Sequence, residues 1–293
     1  RSHSLLKIMD DNLAIIFAYL EKASKDKATM SDDIVEEAGE YFKKCLKRQF
    51  NPEERKFKLR PSNLGNPLCQ LQMEAKGAER QPFDSTFKMR MILGDAVEAI
   101  FKAILKASGV EYQDSEQVKI KIGEHELSGE TDLSIENKVD DIKSCSAWAY
   151  RHKFSSIDNM KEHDTFGYIP QLIMYSKGAN KEVGGWWAIN KATGEITYLD
   201  LEITDEDKQE LLKEVEDKIE TIKSNKPFKR CFDEVEETFR GKKTGNKHLH
   251  KICSMCEYKR ACWGDLKYRP QPASKAQNPP WLYYTSLNEE AVA

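Results

Sequence analysis

Gly129-Glu130-Thr131-Asp132-Leu133-Ser134-Ile135-Glu136-Asn137-Lys138-Val139-Asp140-Asp141-Ile142-Lys143-Ser144 is the most informative stretch of the chain. Leu133 and Ile135 alternate with Asp132, Ser134 and Glu136, the period of a strand with one apolar face, and Val139 to Ser144 reads as the next strand. Asn137-Lys138 sits where a tight turn joins the two. Residues two apart on a strand share a face, so Asp141 and Lys143 project together while Ile142 points into the core. A turn that folds this strand back on its predecessor brings Asp132 near Asp141. Two carboxylates and one ammonium then converge, a group suited to a hard divalent cation that takes oxygen ligands and keeps several waters. Such a cation binds a phosphate oxygen and lowers the pKa of a bound water, and an adjacent lysine orients that water or balances charge building up at phosphorus. Phosphodiester hydrolysis is the natural chemistry of the group, and a surface ion pair is its plain alternative.

Upstream, Val118, Ile120 and Ile122 alternate with Lys119 and Lys121, which makes a meander of three strands. A helix is predicted before it, from about Thr86 to Ala107, with Leu93, Val97, Ile100, Phe101 and Ile104 on one face and Gly109 closing it. Glu98 lies on this helix one turn after Gly94, whose missing side chain would let the helix approach the sheet or a ligand closely. The first sixty residues read as helical, from Leu13, Ile16, Phe17 and Leu20 and from a second amphipathic stretch over Asp32 to Arg48, until Pro61-Ser62-Asn63-Leu64-Gly65-Asn66-Pro67 breaks the pattern.

Downstream, a helix is predicted from about Ile169 to Ser176, with Pro170 in its first turn and Gly178 at its end. Gln171 and Tyr175 share one of its faces, with Tyr168 one turn earlier, and that face can hydrogen-bond phosphates or stack on bases. Two strands follow, Gly185 to Asn190 and Glu195 to Ile203, joined through Ala192-Thr193-Gly194. A charged helix comes next, capped by Thr204, with Asp207 in its first turn and Leu211, Leu212, Val215, Ile219 and Ile222 as its stripe. From Pro270 onward no period is visible, and a tail is expected that docks, if at all, through Trp281, Tyr283 and Tyr284. The expected architecture is an α/β core, a mixed central sheet flanked by helices, with an N-terminal helical extension over 1–60, a main domain over 61–267 and a Pro-rich tail over 268–293.

With 293 residues the chain has ample length for a core, and 32% charged residues imply a heavily solvated surface. The net charge of −3 argues against a protein that binds nucleic acid merely by being basic. It leaves room for local basic surface: Lys43, Lys44, Lys47, Arg48, Arg55, Lys56, Lys58 and Arg60 crowd one stretch, and Lys242, Lys243, Lys247, Lys251, Lys259 and Arg260 another. No apolar run approaches the ~20 residues that cross a bilayer, and no secretory pattern opens the chain, so a soluble, intracellular and cytoplasmic protein with no membrane partner is expected. Seven cysteines, an odd number, speak against a disulfide framework. Cys253-x2-Cys256-x5-Cys262 offers three thiolates to a metal, with Cys69, His248 and His250 as candidates for a fourth ligand; zinc in a Cys3His set is a fair reading of this segment alone.

The order of motifs is recognisable: Gly94-x3-Glu98 on a helix, Gly129-x2-Asp132, Asp141-x-Lys143, then Gln171-x3-Tyr175. It resembles the RecB-type branch of the PD-(D/E)XK nuclease superfamily over roughly Pro61 to Cys262. The resemblance implies a restriction-endonuclease-like core and a Mg²⁺- or Mn²⁺-dependent DNA nuclease, an exonuclease on single-stranded or end-containing DNA working with recombination, repair or replication partners. It implies Glu98, Asp132 and Asp141 as metal ligands with the Ile142 carbonyl, Lys143 positioning the attacking water, and Gln171 and Tyr175 holding the strand or bracing the site. Many relatives carry His where Glu98 stands; a carboxylate there adds negative charge and favours a second metal.

Relatives with an iron-sulfur cluster, of the AddB, exonuclease V and CRISPR-associated adaptation types, place one cysteine before the core and three after it at the same C-x2-C-x5-C spacing. The resemblance therefore implies a structural [4Fe-4S] cluster on Cys69, Cys253, Cys256 and Cys262, with Zn²⁺ as the lesser alternative. Arg often follows the first cysteine in those relatives, whereas Gln70 and Gln72 follow it here. Cys45, Cys145 and Cys231 are left as ordinary thiols. The alternative function is a non-hydrolytic adaptor that grips DNA ends with a nuclease-like fold and a structural metal.

Overall fold

The structure is a computed structural model that describes residues 2–51 and 56–288, with side chains from residue 11 onward. Arg55 of the first basic stretch and the last five residues lie outside the described residues. In chain order the elements are α1 (Ser2–Ala23), α2 (Asp32–Phe50), α3 (Pro61–Leu64), α4 (Leu68–Ala75) and α5 (Ser85–Ser108). They continue with β1 (Gln113–Asp114), β2 (Gln117–Ile122), β3 (His125–Glu130), β4 (Leu133–Ile135), β5 (Lys138–Cys145), α6 (Ala147–His152), α7 (Ile157–His163) and α8 (Tyr168–Ala179). The remainder is β6 (Glu182–Asn190), β7 (Ile196–Asp200), α9 (Asp205–Lys223), β8 (Val235–Phe239), β9 (Lys242–His248), α10 (Lys251–Met255), α11 (Lys259–Trp263), β10 (Lys267–Pro270) and β11 (Trp281–Ser286). The chain divides into two compact units, residues 1–65 with 84–217, and residues 66–83 with 218–293. Among the described residues no helix is long and apolar enough to cross a membrane.

The first unit is built on a mixed sheet of order β1-β4-β5-β6-β7, in which β5 and β6 run parallel and the other pairs antiparallel. The meander expected from the alternation is split: β2 pairs with β3 as a separate two-stranded sheet, and β4 with β5 belongs to the central one. The turn between β4 and β5 is Glu136-Asn137, both at positive φ (49° and 63°), one residue earlier than expected. That left-handed pair matches the twist of a tight hairpin. Ile142 and Trp187 join Ile16, Phe101, Leu105, Leu133 and Ile196 in one core, so α1 and α5 cover that face of the sheet. Phe17, expected in the same stripe as Ile16, is instead 45% exposed.

Opposite Asp140 the ladder slips, because Val139 pairs with Val183 but Asp141 with Trp186. The extra residue sits on β6, where Gly184 and Gly185 stand. A Cβ at Gly184 would fall 2.0 Å from Asp140 Oδ1, and one at Gly185 2.0 Å from the Leu199 carbonyl oxygen. The bulge is thus filled by the Asp140 carboxylate, which accepts from Gly185 N–H (2.9 Å), Trp187 Nε1 (3.1 Å) and Tyr198 hydroxyl (2.8 Å). Beyond the bulge, Asp141 and Lys143 alternate with the core-facing Ile142.

Helix α5 starts at Asp84, whose carboxylate accepts from Phe87 N–H at 2.6 Å, and ends at Gly109 with φ 86°. Helix α8 does not end at Gly178; its cap is Asn180 at φ 53°. Gly178 serves packing instead, since a Cβ there would lie 2.5 Å from Ile120 Cγ1 and 3.1 Å from Val118 Cβ on β2. Gly94, expected to permit close approach, has nothing within 4 Å of its would-be Cβ.

The second unit carries an antiparallel sheet of order β10-β11-β9-β8. Residues 281–286, expected to lie in an aperiodic tail, form its strand β11, with Tyr284 buried. Their aromatic run hides the strand period, and the anchor lies elsewhere in the chain: buried Glu237 accepts from Tyr284 hydroxyl (2.5 Å), Thr244 hydroxyl (2.7 Å) and Asn246 Nδ2 (2.7 Å).

Candidate active site

The hairpin places Asp132 beside β5 as expected: its Oδ2 accepts from the Ile142 N–H at 2.9 Å. Lys143 Nζ donates to Asp141 Oδ1 at 2.8 Å and lies 2.6 Å from Oδ2, so the ammonium sits against both oxygens of the carboxylate. Glu98 comes from α5 and is not solvated. It accepts from Tyr41 hydroxyl on α2 at 2.5 Å and lies 3.2 Å from Lys102 Nζ, which is 2.9 Å from Asp114 as well.

These carboxyls act on one another. Burial pushes Asp132 up to about 6, with Asp141 adding to the rise. Burial likewise raises Asp141, against the pull of Lys143, and raises Glu98, where Asp132 adds and Lys102 and Tyr41 oppose. For Lys143 burial disfavours the charge, but Asp141 foremost outweighs it and keeps the ammonium above the ordinary lysine range. Three mutually repelling carboxyls face Lys143 and a Lys102 that Asp114 also claims. That excess of negative charge in a site largely shielded from water fits a hard divalent cation.

The face expected on α8 meets the same site. Lys143 Nζ sits 4.7 Å from the centre of the Tyr168 ring. Tyr175 is buried, shares a hydrogen bond with Gln171, and fits because Gly129 has no side chain: a Cβ there would be 2.6 Å from Tyr175 Cε1. The glycine and aspartate of Gly129-x2-Asp132 therefore do separate jobs, one making room and the other supplying charge.

Sequence reasoning missed Tyr41, Lys102, Lys153 and Asp164. Lys102 stands four residues after Glu98 on one helix, a spacing that signals an ion pair; Tyr41 lies on α2, fifty-seven residues before Glu98, and no local pattern links the two. Lys153 is buried, with Nζ 3.9 Å from the Tyr168 ring centre, so that ring carries an ammonium from each of two lysines.

In the second unit, Cys69, Cys253, Cys256 and Cys262 line one cavity, closed by Pro67, Met73, Phe232, Ile252, Tyr258 and Trp263. Neither His248 nor His250 lines it: His248 Nδ1 faces the Leu249 carbonyl oxygen, and His250 caps α10 and stacks on Phe232 at 4.6 Å. The thiols are free, and burial pushes Cys253 up to about 11. Cys231, set aside as an ordinary thiol, is close by; Cys69 N–H donates to its sulfur at 3.1 Å, and its hydrogen bond with the Cys69 thiol draws it below the usual thiol range. The donor set suits a soft metal or a cluster. Among the described residues, however, no group of three or more His, Cys, Asp and Glu side chains stands ready to hold an ion. At the carboxylate site, Asp132 Oδ2 is turned to the Ile142 N–H and Glu98 Oε1 to Tyr41 and Lys102.

The mixed sheet, with its Asp-x-Lys strand, acidic hairpin partner and a glutamate from a flanking helix, makes this an α/β protein with a carboxylate-and-lysine site. The chain matches the PD-(D/E)XK nuclease superfamily over residues 16–263 and belongs to that superfamily. Among solved structures, the crystal structure of SSO0001 is 17% identical, with 62% of this chain and 84% of that chain covered at a TM-score of 0.39. No curated protein shows a significant match to the chain.

Proposed function

We propose that this chain is a divalent-metal-dependent DNA nuclease that acts as an exonuclease on single-stranded or end-containing DNA. The observation that carries the proposal is the Asp132–Asp141–Lys143 group, in which Glu98, Asp132 and Asp141 crowd negative charge beside one lysine. Glu98, Asp132 and Asp141, with the Ile142 carbonyl, would hold Mg²⁺ or Mn²⁺, which supplies a water of lowered pKa and a contact to a phosphate oxygen. Tyr41 and Lys102 both engage Glu98 Oε1, so Oε2 is the oxygen Glu98 would offer the cation. Lys143, fixed by Asp141 on one side and the Tyr168 ring on the other, orients the water and offsets charge at phosphorus. Gln171 and Tyr175 brace the site, and Tyr168 supports Lys143 next to the strand. No covalent intermediate is needed, because positioning and charge supply the rate.

The same proposal assigns a RecB-type architecture, with 61–267 as the nuclease domain, 1–60 as an extension and 268–293 as a C-terminal segment. It assigns a structural [4Fe-4S] cluster, with zinc as the lesser alternative, to Cys69, Cys253, Cys256 and Cys262. Its support is that these four, and neither histidine, line one cavity. Recombination, repair or replication proteins would be its partners.

Incubation of end-labelled DNA with the wild type and Lys143→Ala, with Mg²⁺ or with a chelator, tests the proposal. Cleavage by the wild type with Mg²⁺ alone, lost in Lys143→Ala, supports it. Binding of DNA ends without cleavage would instead favour the adaptor.

A further inference from the structure

Phe166 is 49% exposed, and its position is tightly determined. It lies in the turn between α7 and α8, where both Asp164 carboxylate oxygens accept from the first backbone N–H groups of α8, Tyr168 at 2.8 Å and Ile169 at 3.0 Å. Gly167 follows Phe166 with φ 70°, a left-handed conformation that favours glycine. Its backbone is pressed on that of Gly65: a Cβ on Gly167 would lie 2.2 Å from Gly65 Cα, and one on Gly65 2.5 Å from the Phe166 carbonyl oxygen. Two glycines are therefore used to bring two backbones together beneath an outward-facing ring.

The ring is also tied to the reactive group. Phe166 stacks on Tyr168 with 5.8 Å between centres and 22° between planes, and Lys143 Nζ sits 4.7 Å from the centre of that same Tyr168 ring. Lys153 Nζ lies 5.4 Å from the Phe166 centre and 3.9 Å from that of Tyr168, so positive charge underlies the platform. An outward aromatic face, held rigid and backed by cations next to the lysine of the site, is what a nucleotide needs: π-surface for its base and positive potential for its phosphates. A base inside a duplex already has both faces covered by its neighbours, so only an unpaired or frayed base gains from this ring.

We propose that Phe166 is a stacking platform for an unpaired base next to the phosphate held at Lys143, and that it makes the site select single-stranded nucleic acid. The inference rests on the proposed nuclease reading of the Lys143 site and adds the substrate class to it.

The test compares wild type, Phe166→Ala and Phe166→Trp on a single-stranded oligonucleotide and on a blunt duplex of the same sequence, with Mg²⁺. Phe166→Ala should lose about tenfold in kcat/KM on the single strand, chiefly through KM, equivalent to ~1.4 kcal/mol. It should lose little on the duplex, and Phe166→Trp should restore the single-strand rate. A second readout is independent of cleavage: a single strand carrying 2-aminopurine at its end, mixed with protein in Ca²⁺, should be quenched by the wild type and by Lys143→Ala but not by Phe166→Ala. An unchanged ratio of single-strand to duplex cleavage in Phe166→Ala, or equal quenching by all three proteins, would overturn the platform. Loss of all cleavage in the wild type with quenching retained would overturn the nuclease reading alone.

Discussion

Lys153 carries a charge that the fold holds at a cost, and removing it should stabilise the protein. Its side chain is only 7% exposed, and its nearest carboxylate oxygen, Asp164 Oδ1, is 3.8 Å away, too far for a hydrogen bond. Burial foremost, with the like charge of Lys143 adding and Asp164 opposing, lowers Lys153 from 10.5 to about 8. A drop of that size corresponds to ~3 kcal/mol against the charged folded form. Contacts with the Tyr168 and Phe166 rings return ~1–2 kcal/mol, which Lys153→Met would forfeit. The net gain for Lys153→Met at pH 7 is therefore ~1–2 kcal/mol, and Tm should rise by roughly 2–3 °C. The sign with pH follows from where protons leave. Below pH 8 the lysine is charged in both folded and unfolded chains and the whole cost is felt. Between about 8 and 10.5 the folded protein releases its proton first, and the cost fades. Melting curves of wild type and Lys153→Met from pH 6.5 to 10 measure the effect; the gap should narrow steadily above pH 8. A wild type at least as stable as the variant at pH 7, or a gap that widens with pH, would refute the reasoning.

Other outcomes are expected from the same structure. Asp140→Ala leaves the Gly185 N–H, the Trp187 indole and the Tyr198 hydroxyl without their acceptor inside the sheet, and urea unfolding should show a loss of ~3 kcal/mol or more. Gly178→Ala pushes a methyl onto Ile120, which is fully buried and has nowhere to go, and should cost ~1–3 kcal/mol in the same assay. Protein purified without air should contain iron and sulfide and absorb broadly near ~400 nm. Cys256→Ala should lose both while Lys143→Ala keeps them, and zinc with no iron in the wild type would remove the cluster assignment.

The strands that carry charge at the centre of the site were legible in the sequence because β4 alternates apolar with polar residues and is joined to β5 by the shortest kind of turn. Asp132, Asp141 and Lys143 could be placed together from period alone, as could Gln171 with Tyr175 on one helical face. What stayed hidden depends on distant partners. The β6 bulge follows from Asp140 reaching into Gly184-Gly185, forty-odd residues away, and no local pattern announces it. Strand β11 hid behind prolines and four adjacent residues, Trp281-Leu282-Tyr283-Tyr284, that are apolar on either face. Gly94 and Gly178 misled in opposite ways, because a helical glycine marks either a stop, a close approach or nothing, and only the neighbour across the gap distinguishes these. The partners of Glu98, Tyr41 on another helix and Lys102 one turn on, appear only in the fold.

The central claim is that Asp132 and Asp141, with Glu98, share one divalent cation beside Lys143. Titration of Mn²⁺ followed by the electron paramagnetic resonance signal of the free ion tests it most directly. The account predicts that the wild type removes the signal of one or two ions per chain and that Asp132→Asn and Asp141→Asn each weaken this binding by tenfold or more. Equal Mn²⁺ binding by all three proteins, or none by the wild type, would contradict it.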